Sequence, residues 1–219
     1  MKLCVIGGAG ARSAFLTKSL VKSTRDIRVD HIVLLDNDQQ KLKTYGEISR
    51  ELARRLYPDL TFEVTSDARA ALTGVDYIIT TIRAGGDAGR LFDEQTCLAH
   101  GVLGQETTGA GGFAMAIRSV PTLVYYCTLA REVANPGHLI FNFTNPSGII
   151  TQALRSKGFD NVYGICDAPS GFIKQLEEIL EIPYGTLDIE CYGLNHLSWF
   201  RNAKVNGRDV QRELLDNPQ

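Results

Sequence analysis

The sequence has no excess of charge of either sign. Its 23 lysine and arginine residues are balanced by 25 aspartate and glutamate residues, which gives a formal net charge of −2. Proteins that bind nucleic acid or an anionic membrane surface carry clustered positive charge, and this composition offers none. We therefore expect no nucleic-acid partner and no membrane partner.

Long apolar runs and closely spaced cysteines are also missing. No stretch reaches the roughly 18 apolar residues of a membrane span. The chain runs into KLCVIGG without the basic region and cleavage site of a signal peptide. Its five cysteines are scattered, and this odd number argues against a disulfide framework. Cys4 and Cys127 are expected to be small buried hydrophobes, and the pattern as a whole predicts a reducing, cytoplasmic location.

Apolar runs and amphipathic runs alternate along most of the chain. The apolar runs predict strands near 2–7, 31–36, 61–67, 76–82, 138–144 and 161–166. Helical spacing predicts helices near 13–23, 40–57, 114–134, 147–157 and 169–181. Strict alternation of strands and helices is typical of the α/β class with a Rossmann-like, doubly wound parallel sheet, as in lactate and malate dehydrogenases.

A glycine-rich turn follows the first predicted strand. In GGAGARS, Gly8 and Gly10 fit the first two glycines of G-x-G-x-x-G, and Ser13 stands at the third. Such a turn lets backbone N–H groups approach a pyrophosphate at a helix N-terminus. Asp36 ends the second strand, where an acid binds ribose hydroxyls and repels a 2′-phosphate. The motif predicts NAD rather than NADP; the alternative is a plain turn with an N-capping carboxylate.

The pattern changes after about residue 185, where two longer strands with a turn at Asn206-Gly207 are predicted. We therefore expect an NAD-binding Rossmann-like domain at 1–190. Residues 191–219 are expected to begin a second α+β domain.

Several chemistry-bearing residues follow predicted strands. The stretch 81–95 carries Arg83 and Arg90 among glycines, and 101–113 is a glycine-rich loop without charge except Glu106. An arginine there supplies a planar fork for phosphate or carboxylate, although a lone arginine is equally well a solvated surface charge. Cys166 and His196 together suit a divalent first-row ion, whereas an isolated histidine is more often a core residue.

Six motifs in order resemble glycoside hydrolase family 4, the NAD- and manganese-dependent enzymes that are most often 6-phospho-glucosidases. They are GGAGARS, IRAGG…GRLFDEQ, GQETTGAGGF, NFTNPSG, GICDAPSG and YGLNHLSWF. This family is an NAD-dependent exception among glycosidases.

The resemblance implies a role for each matching residue. It places the metal ligands at Cys166 and His196, and the nucleotide at Gly8, Gly10, Ser13, Asp36 and Arg83. It places the substrate phosphate at Arg90, a sugar contact at Asn145, and the general acid at Asp167. Asp at this last position goes with the α-glucosidases of the family, while NFTNPSG and GLNHLSWF are closer to the β group, so both anomers stay open.

The chemistry implied by the resemblance begins with oxidation of the sugar at C3 by hydride transfer to NAD. Removal of the acidified C2 proton, elimination at C1, addition of water and return of the hydride follow. The family's tyrosine base and second phosphate arginine come later than position 219. The resemblance therefore implies a fragment in which 191–219 begin the substrate and oligomerisation domain, whose remainder is absent from this chain. Full-length members are expected to be dimers or tetramers that act on a phosphorylated disaccharide or glucoside.

Two other functions remain open from the sequence. A malate- or lactate-type dehydrogenase shares the fold class and the NAD turn, but it needs a His–Asp pair and no metal. A truncated NAD-binding module without turnover is the third interpretation.

Overall fold

The computed structural model describes residues 1–217, which form two compact units. The first unit is Met1–Ile165, and the second begins at Cys166. Buried apolar side chains form two clusters in the first unit and one in the second.

A parallel sheet forms the centre of the first unit. Its six strands within the described residues follow the order β3-β2-β1-β4-β5-β6, and each neighbouring pair is parallel. The strand order changes direction between β1 and β4, as it does in doubly wound folds. The strands are β1 (Lys2–Ile6), β2 (His31–Leu35), β3 (Thr61–Thr65), β4 (Tyr77–Thr80), β5 (Leu139–Asn142) and β6 (Val162–Gly164).

Helices cover both faces of this sheet. They are α1 (Ser13–Ile27), α2 (Gln39–Lys41), α3 (Glu47–Leu56), α4 (Ala68–Leu72), α5 (Gly86–Ala99), α6 (Gly109–Val133) and α7 (Ser147–Ser156), with a π-helical segment at Leu42–Gly46. Successive side chains of a strand point to opposite faces. Leu3 and Val5 of β1 therefore pack with α1 and α3, while Cys4 and Ile6 pack with α4, α6 and α7.

The second unit is a small antiparallel sheet with two helices. Its elements are α8 (Ala168–Ile179), β7 (Leu187–Leu194), β8 (Leu197–Val205), β9 (Arg208–Asp209) and α9 (Gln211–Asp216). Leu187, Ala203 and Val210 form its buried core with apolar residues of α8. The buried carboxylate of Glu177 accepts the backbone N–H groups of Thr186 and Leu187 at 2.9 and 3.0 Å, which ties α8 to the start of β7.

The predicted fold class is confirmed: the chain has a Rossmann-like parallel sheet followed by an antiparallel α+β segment. The units divide at Ile165, earlier than the predicted boundary at 190. The physical reason is that α8 packs against β7 and β8 in one core. The structure also has a helix, α5, where no helix is predicted, and α6 begins inside the predicted glycine-rich loop.

Helix α6 bears on the expectation that no stretch reaches the roughly 18 apolar residues of a membrane span. By length and composition this 25-residue helix could cross a membrane. Its side chains Leu123, Cys127 and Ala130 nevertheless lie in the core beneath the sheet. These contacts are those of a helix that packs in a protein core. Packing in a core and crossing a membrane both require apolar side chains.

Burial separates the cysteines by reactivity. Desolvation raises the pKa of Cys4 and of Cys127 to about 12, so both are neutral thiols at about pH 8 and react slowly. We expect iodoacetamide to label the exposed Cys191 first and to reach Cys4 and Cys127 only after unfolding, as measured by peptide mass spectrometry. The two thiols have a pKa of 9.0 in the unfolded chain and of about 12 in the folded chain. Their ionisation therefore leaves the free energy of unfolding unchanged below pH 9.0 and lowers it as the pH rises towards about 12. Equal labelling of all five thiols in the native chain would contradict this.

Candidate functional site

The turn after β1 is confined between the two neighbouring strands. The backbone N–H groups of Gly7 and Gly8 both donate to the carbonyl oxygen of Leu35, at 2.9 and 3.0 Å. Gly7 has a φ of +85°, and a Cβ there would lie 2.8 Å from the carbonyl carbon of Thr81. A Cβ at Gly8 would lie 2.9 Å from Cα of Leu34. The backbone of the protein itself therefore requires glycine at both positions.

Gly10 has a different environment. A Cβ at this position would find the carbonyl oxygen of Gly7 as its nearest neighbour, at 3.9 Å, so the space in front of Gly10 is open. Helix α1 begins three residues later at Ser13, which is buried and donates its N–H to the carbonyl oxygen of Gly10 at 3.0 Å. The start of α1 has no side-chain cap and no acidic residue in its first turn. An open glycine beside such a helix start suits a phosphate group.

The carboxylate of Asp36 is held beside this turn. Its Oδ2 accepts the backbone N–H of Ala9 and its Oδ1 accepts that of Asp38, each at 3.1 Å. The N-cap of α2 is Asp38, not Asp36. Asp36 is therefore tied to the glycine turn, which is the placement that ribose recognition requires.

Helix capping differs between the centre of the sheet and the side of β2 and β3. The helices that follow β2 and β3 begin with aspartate caps, Asp38 and Asp67. The helices that follow β1, β4 and β5 begin without a side-chain cap. Uncapped N–H groups therefore cluster at the point where the strand order changes direction, where open α/β sheets bind their ligands.

Arg83 and Arg90 lie on either side of Glu106. Arg83 donates through Nε and Nη2 to Glu106 at 3.2 and 3.4 Å and through Nη1 to Asp87 at 2.5 Å. Arg90, on α5, donates through Nε to Glu94 at 2.7 Å and lies 3.9 Å from Glu106. The structure thus brings the two predicted arginines together around one carboxylate.

Asn145 lies in a loop that a buried amide organises. Asn142, the last residue of β5, accepts Thr80 Oγ1 at 2.8 Å and donates to Thr151 Oγ1 at 3.1 Å. Ser147 Oγ donates to the carbonyl oxygen of Asn142 at 3.0 Å, which closes the loop at its far end. Asn145, half-buried between these anchors, precedes a cis peptide bond to Pro146.

The second unit brings Cys166 and His196 together. Cys166 Sγ lies 3.5 Å from His196 Nε2, and His196 stands at the tip of the β7–β8 hairpin with a φ of +58°. The neighbouring Asn195 has a buried Oδ1 without a hydrogen-bond partner among the described residues. Thiolate, imidazole and amide oxygen are all donors for a first-row divalent ion. Within residues 1–217, no group of three or more His, Cys, Asp or Glu side chains is placed to hold a metal, so the pair offers two such ligands.

Asp167 stands directly after Cys166 and before α8. Its carbonyl oxygen accepts Ser170 Oγ at 3.0 Å and the N–H of Gly171 at 2.8 Å. Its side chain is exposed, and its carboxylate accepts no hydrogen bond from the part of the chain that the structure describes. The carboxylate is therefore accessible to a bound molecule.

The profile described as Family 4 glycosyl hydrolase matches residues 2–182. The chain belongs to glycosyl hydrolase family 4. A similar curated relative is the 6-phospho-beta-glucosidase BglT of Thermotoga maritima, 35% identical over 99% of this chain and 51% of the relative. This family 4 chain spans about half the length of the curated relatives it matches.

Solved structures agree with the family. A 6-phospho-alpha-glucosidase from gut microorganisms, in complex with NAD and Mn2+, is 31% identical with a TM-score of 0.91, over 97% of this chain and 49% of that one. The Thermotoga maritima 6-phospho-beta-glucosidase with NAD and glucose-6-phosphate is 34% identical with a TM-score of 0.88, over 99% of this chain and 52% of that one. A malate dehydrogenase from Naegleria fowleri, 12% identical with a TM-score of 0.73, shares the fold.

Several residues that build these sites are not among those predicted from the sequence. Gly7, not Gly8, carries the positive φ of the turn, and Thr81 Oγ1 donates to its carbonyl oxygen at 3.0 Å. Asn142 could have been found as a polar residue ending an apolar strand. Asn195 could have been found from its place beside His196.

Two glycine substitutions separate ligand binding from folding. We expect Gly10→Ala to leave the melting temperature unchanged, because the added Cβ meets open space, while NAD affinity falls about tenfold as the methyl group blocks backbone approach. Gly8→Ala should lower the melting temperature by several degrees, because its Cβ would overlap Leu34. Circular dichroism and isothermal titration calorimetry with NAD measure both effects. A Gly10→Ala chain that binds NAD normally would place the nucleotide elsewhere.

Substitutions in the second unit test the metal pair. We expect Cys166→Ser and His196→Ala each to weaken Mn2+ binding by about tenfold or more, because each removes one of two protein ligands. Cys191→Ser, which changes an exposed thiol on β7 of the same unit, is the matched control and should bind as the parent chain does. Electron paramagnetic resonance of free Mn2+ gives the affinities. Equal affinities for all three variants would rule out the pair as the site.

Proposed function

We propose that this chain is the nucleotide- and metal-binding part of a glycosidase that hydrolyses 6-phospho-glucosides by NAD-dependent oxidation, elimination, addition and reduction. One observation in the chain carries the proposal beyond family membership. His196 Nε2 faces the thiol of Cys166 at 3.5 Å, whereas a malate- or lactate-type dehydrogenase needs its histidine paired with an aspartate. A thiol–imidazole pair suits metal binding instead.

The residues of the first unit fit NAD. Open space at Gly10 and the uncapped start of α1 suit the pyrophosphate. Ser13 allows the helix to begin close to the turn, and Asp36 is held beside Ala9, where it would accept ribose hydroxyls and repel a 2′-phosphate. Arg83, a cation paired with Glu106 and Asp87, would contribute to cofactor binding. Because Arg83 and Arg90 share Glu106, it would also add positive charge near the substrate phosphate.

The second unit fits a divalent metal. Cys166 and His196 present sulfur and nitrogen donors 3.5 Å apart, and Asn195, the residue before His196, has a buried Oδ1 without a hydrogen-bond partner within residues 1–217. When bound, NAD and a metal such as Mn2+ supply hydride transfer and stabilisation of negative charge on sugar oxygens.

Three side chains are proposed to act on the substrate. Arg90 would hold the phosphate through its guanidinium group, which donates to Glu94 through Nε. Asn145 would hydrogen-bond a sugar hydroxyl from a loop fixed by Asn142. Asp167 would protonate the leaving oxygen, because it directly follows the proposed metal ligand Cys166 and its carboxylate is accessible to a substrate. The relatives are named for both anomers, so the proposal names the 6-phospho-glucosides as a class.

The location and the oligomeric state of the enzyme are proposed as well. Phosphorylated glucosides are charged and do not cross a membrane unaided, which supports a cytoplasmic location. The whole protein is proposed to be a homo-oligomer, a dimer or a tetramer. Large apolar side chains exposed on and beside α5 and α6, such as Phe92, Leu103 and Phe113, support association.

Hydrolysis of p-nitrophenyl 6-phospho-α- and β-glucosides by the whole protein of which this chain is proposed to be a part, with NAD, Mn2+ and a thiol reductant, tests the proposed function. We expect release that EDTA abolishes, because the metal stabilises the developing charge. Asp167→Asn should slow hydrolysis of a methyl 6-phospho-glucoside by about 10²-fold or more, because methanol needs a proton to leave. The same substitution should affect hydrolysis of the p-nitrophenyl 6-phospho-glucoside little, because nitrophenolate leaves without a proton. Release of methanol or nitrophenol gives both rates.

Other outcomes would decide between the remaining interpretations. Formation of NADH from malate or lactate in the presence of EDTA would support the dehydrogenase. Calorimetric NAD binding without hydrolysis of either anomer would support a nucleotide-binding module without turnover.

A further inference from the structure

Glu106 lies between the two arginines and is nearly enclosed. Its side chain is 16% exposed, and its two oxygens accept Nε and Nη2 of Arg83 in a side-on, two-bond contact. One of these oxygens also lies 3.9 Å from Nε of Arg90. A carboxylate in this place fixes the plane of one guanidinium group and attracts the other.

The backbone around Glu106 is closely packed. A Cβ at Gly104 would lie 2.6 Å from the carbonyl oxygen of Glu94 on α5, and one at Gly111 would lie 2.6 Å from that of Gln105. Gln105 Oε1 accepts the N–H of Thr108 at 2.9 Å. The segment that carries Glu106 is thus held between α5 and the start of α6, and this packing restricts the position of the Glu106 carboxylate.

Glu94 contacts the same arginine in a different way. It lies one helical turn after Arg90 on α5, is more exposed than Glu106 at 26%, and accepts Nε at 2.7 Å. This hydrogen bond is the main cause that raises the pKa of Arg90, followed by the charge of Glu106. Because the contact is local and solvent-accessible, an incoming anion can replace it at low cost.

We propose that Glu106 is a positioning residue that holds Arg83 and Arg90 together for a phosphate monoester, while Glu94 occupies Arg90 until the phosphate displaces it. This inference rests on the proposed function, in which Arg90 binds the substrate phosphate. It assigns opposite effects to two carboxylates that contact the same guanidinium group.

The two roles are distinguished by whether a substitution of the carboxylate tightens or weakens phosphate binding. Removing any carboxylate near an arginine raises the local potential, which by itself favours anion binding. Glu94→Gln should therefore tighten binding. Glu106→Gln removes the same charge but releases the guanidinium of Arg83, so a positioning role predicts weaker binding despite the gain in potential.

Isothermal titration calorimetry of this chain with inorganic phosphate and with glucose 6-phosphate, at fixed ionic strength in an anion-poor buffer, measures these effects. We expect Glu94→Gln to tighten both probes about two- to fivefold and Glu106→Gln to weaken them about tenfold. Glu106→Asp, which keeps the charge but shortens the reach, should also weaken them. The control is Glu51→Gln, which removes an exposed ion pair with Arg54 on α3 and should change neither affinity.

Each contrary result has a separate meaning. Binding by Glu106→Gln as tight as that of the parent chain would overturn the positioning role, and unchanged affinity in Glu106→Asp would do so if the first variant fails to fold. Unchanged binding by Glu94→Gln would overturn the displacement. Arg90→Ala with unchanged affinity, or a parent chain that binds neither probe, would overturn the phosphate site of the proposed function itself.

Discussion

The turn after β1 has to pass between two backbones that leave no room for a side chain. Leu34 of β2 blocks one side and Thr81 after β4 blocks the other, while the carbonyl oxygen of Leu35 takes both N–H groups of the turn. Parallel pairing of β1 with β2 and β4 creates this gap, and the gap fixes the entry to α1. The proposed nucleotide site therefore depends on strand pairing before it depends on any contact with a ligand.

Sequence patterns predicted the elements whose periodicity is a consequence of burial. The parallel strands are buried on both faces, so they read as continuous apolar runs, and the helices between them read as amphipathic. Helix α5 was missed because three glycines in and just before it lower its intrinsic helix propensity, and contacts such as the Arg118–Asp93 ion pair with α6 offset that cost. Tertiary contacts of this kind leave no local pattern to detect.

The candidate sites were predictable as residue types but not as partnerships. The motifs indicated Arg83, Arg90, Cys166 and His196, yet which side chains meet depends on packing that no spacing encodes. Glu106 was visible as one acid in an uncharged loop. Its two arginine partners come from a strand end and a helix, and only the folded loop brings the three groups together.

The β7–β8 hairpin carries the single tryptophan of the chain, Trp199, opposite Tyr192 and three residues beyond His196. The indole is 61% exposed, so its emission is that of a solvated ring. The hairpin therefore contains its own optical reporter. A paramagnetic ion held by Cys166 and His196 would quench that fluorescence, and the light emitted by one ring would follow occupancy of the pair without any added label.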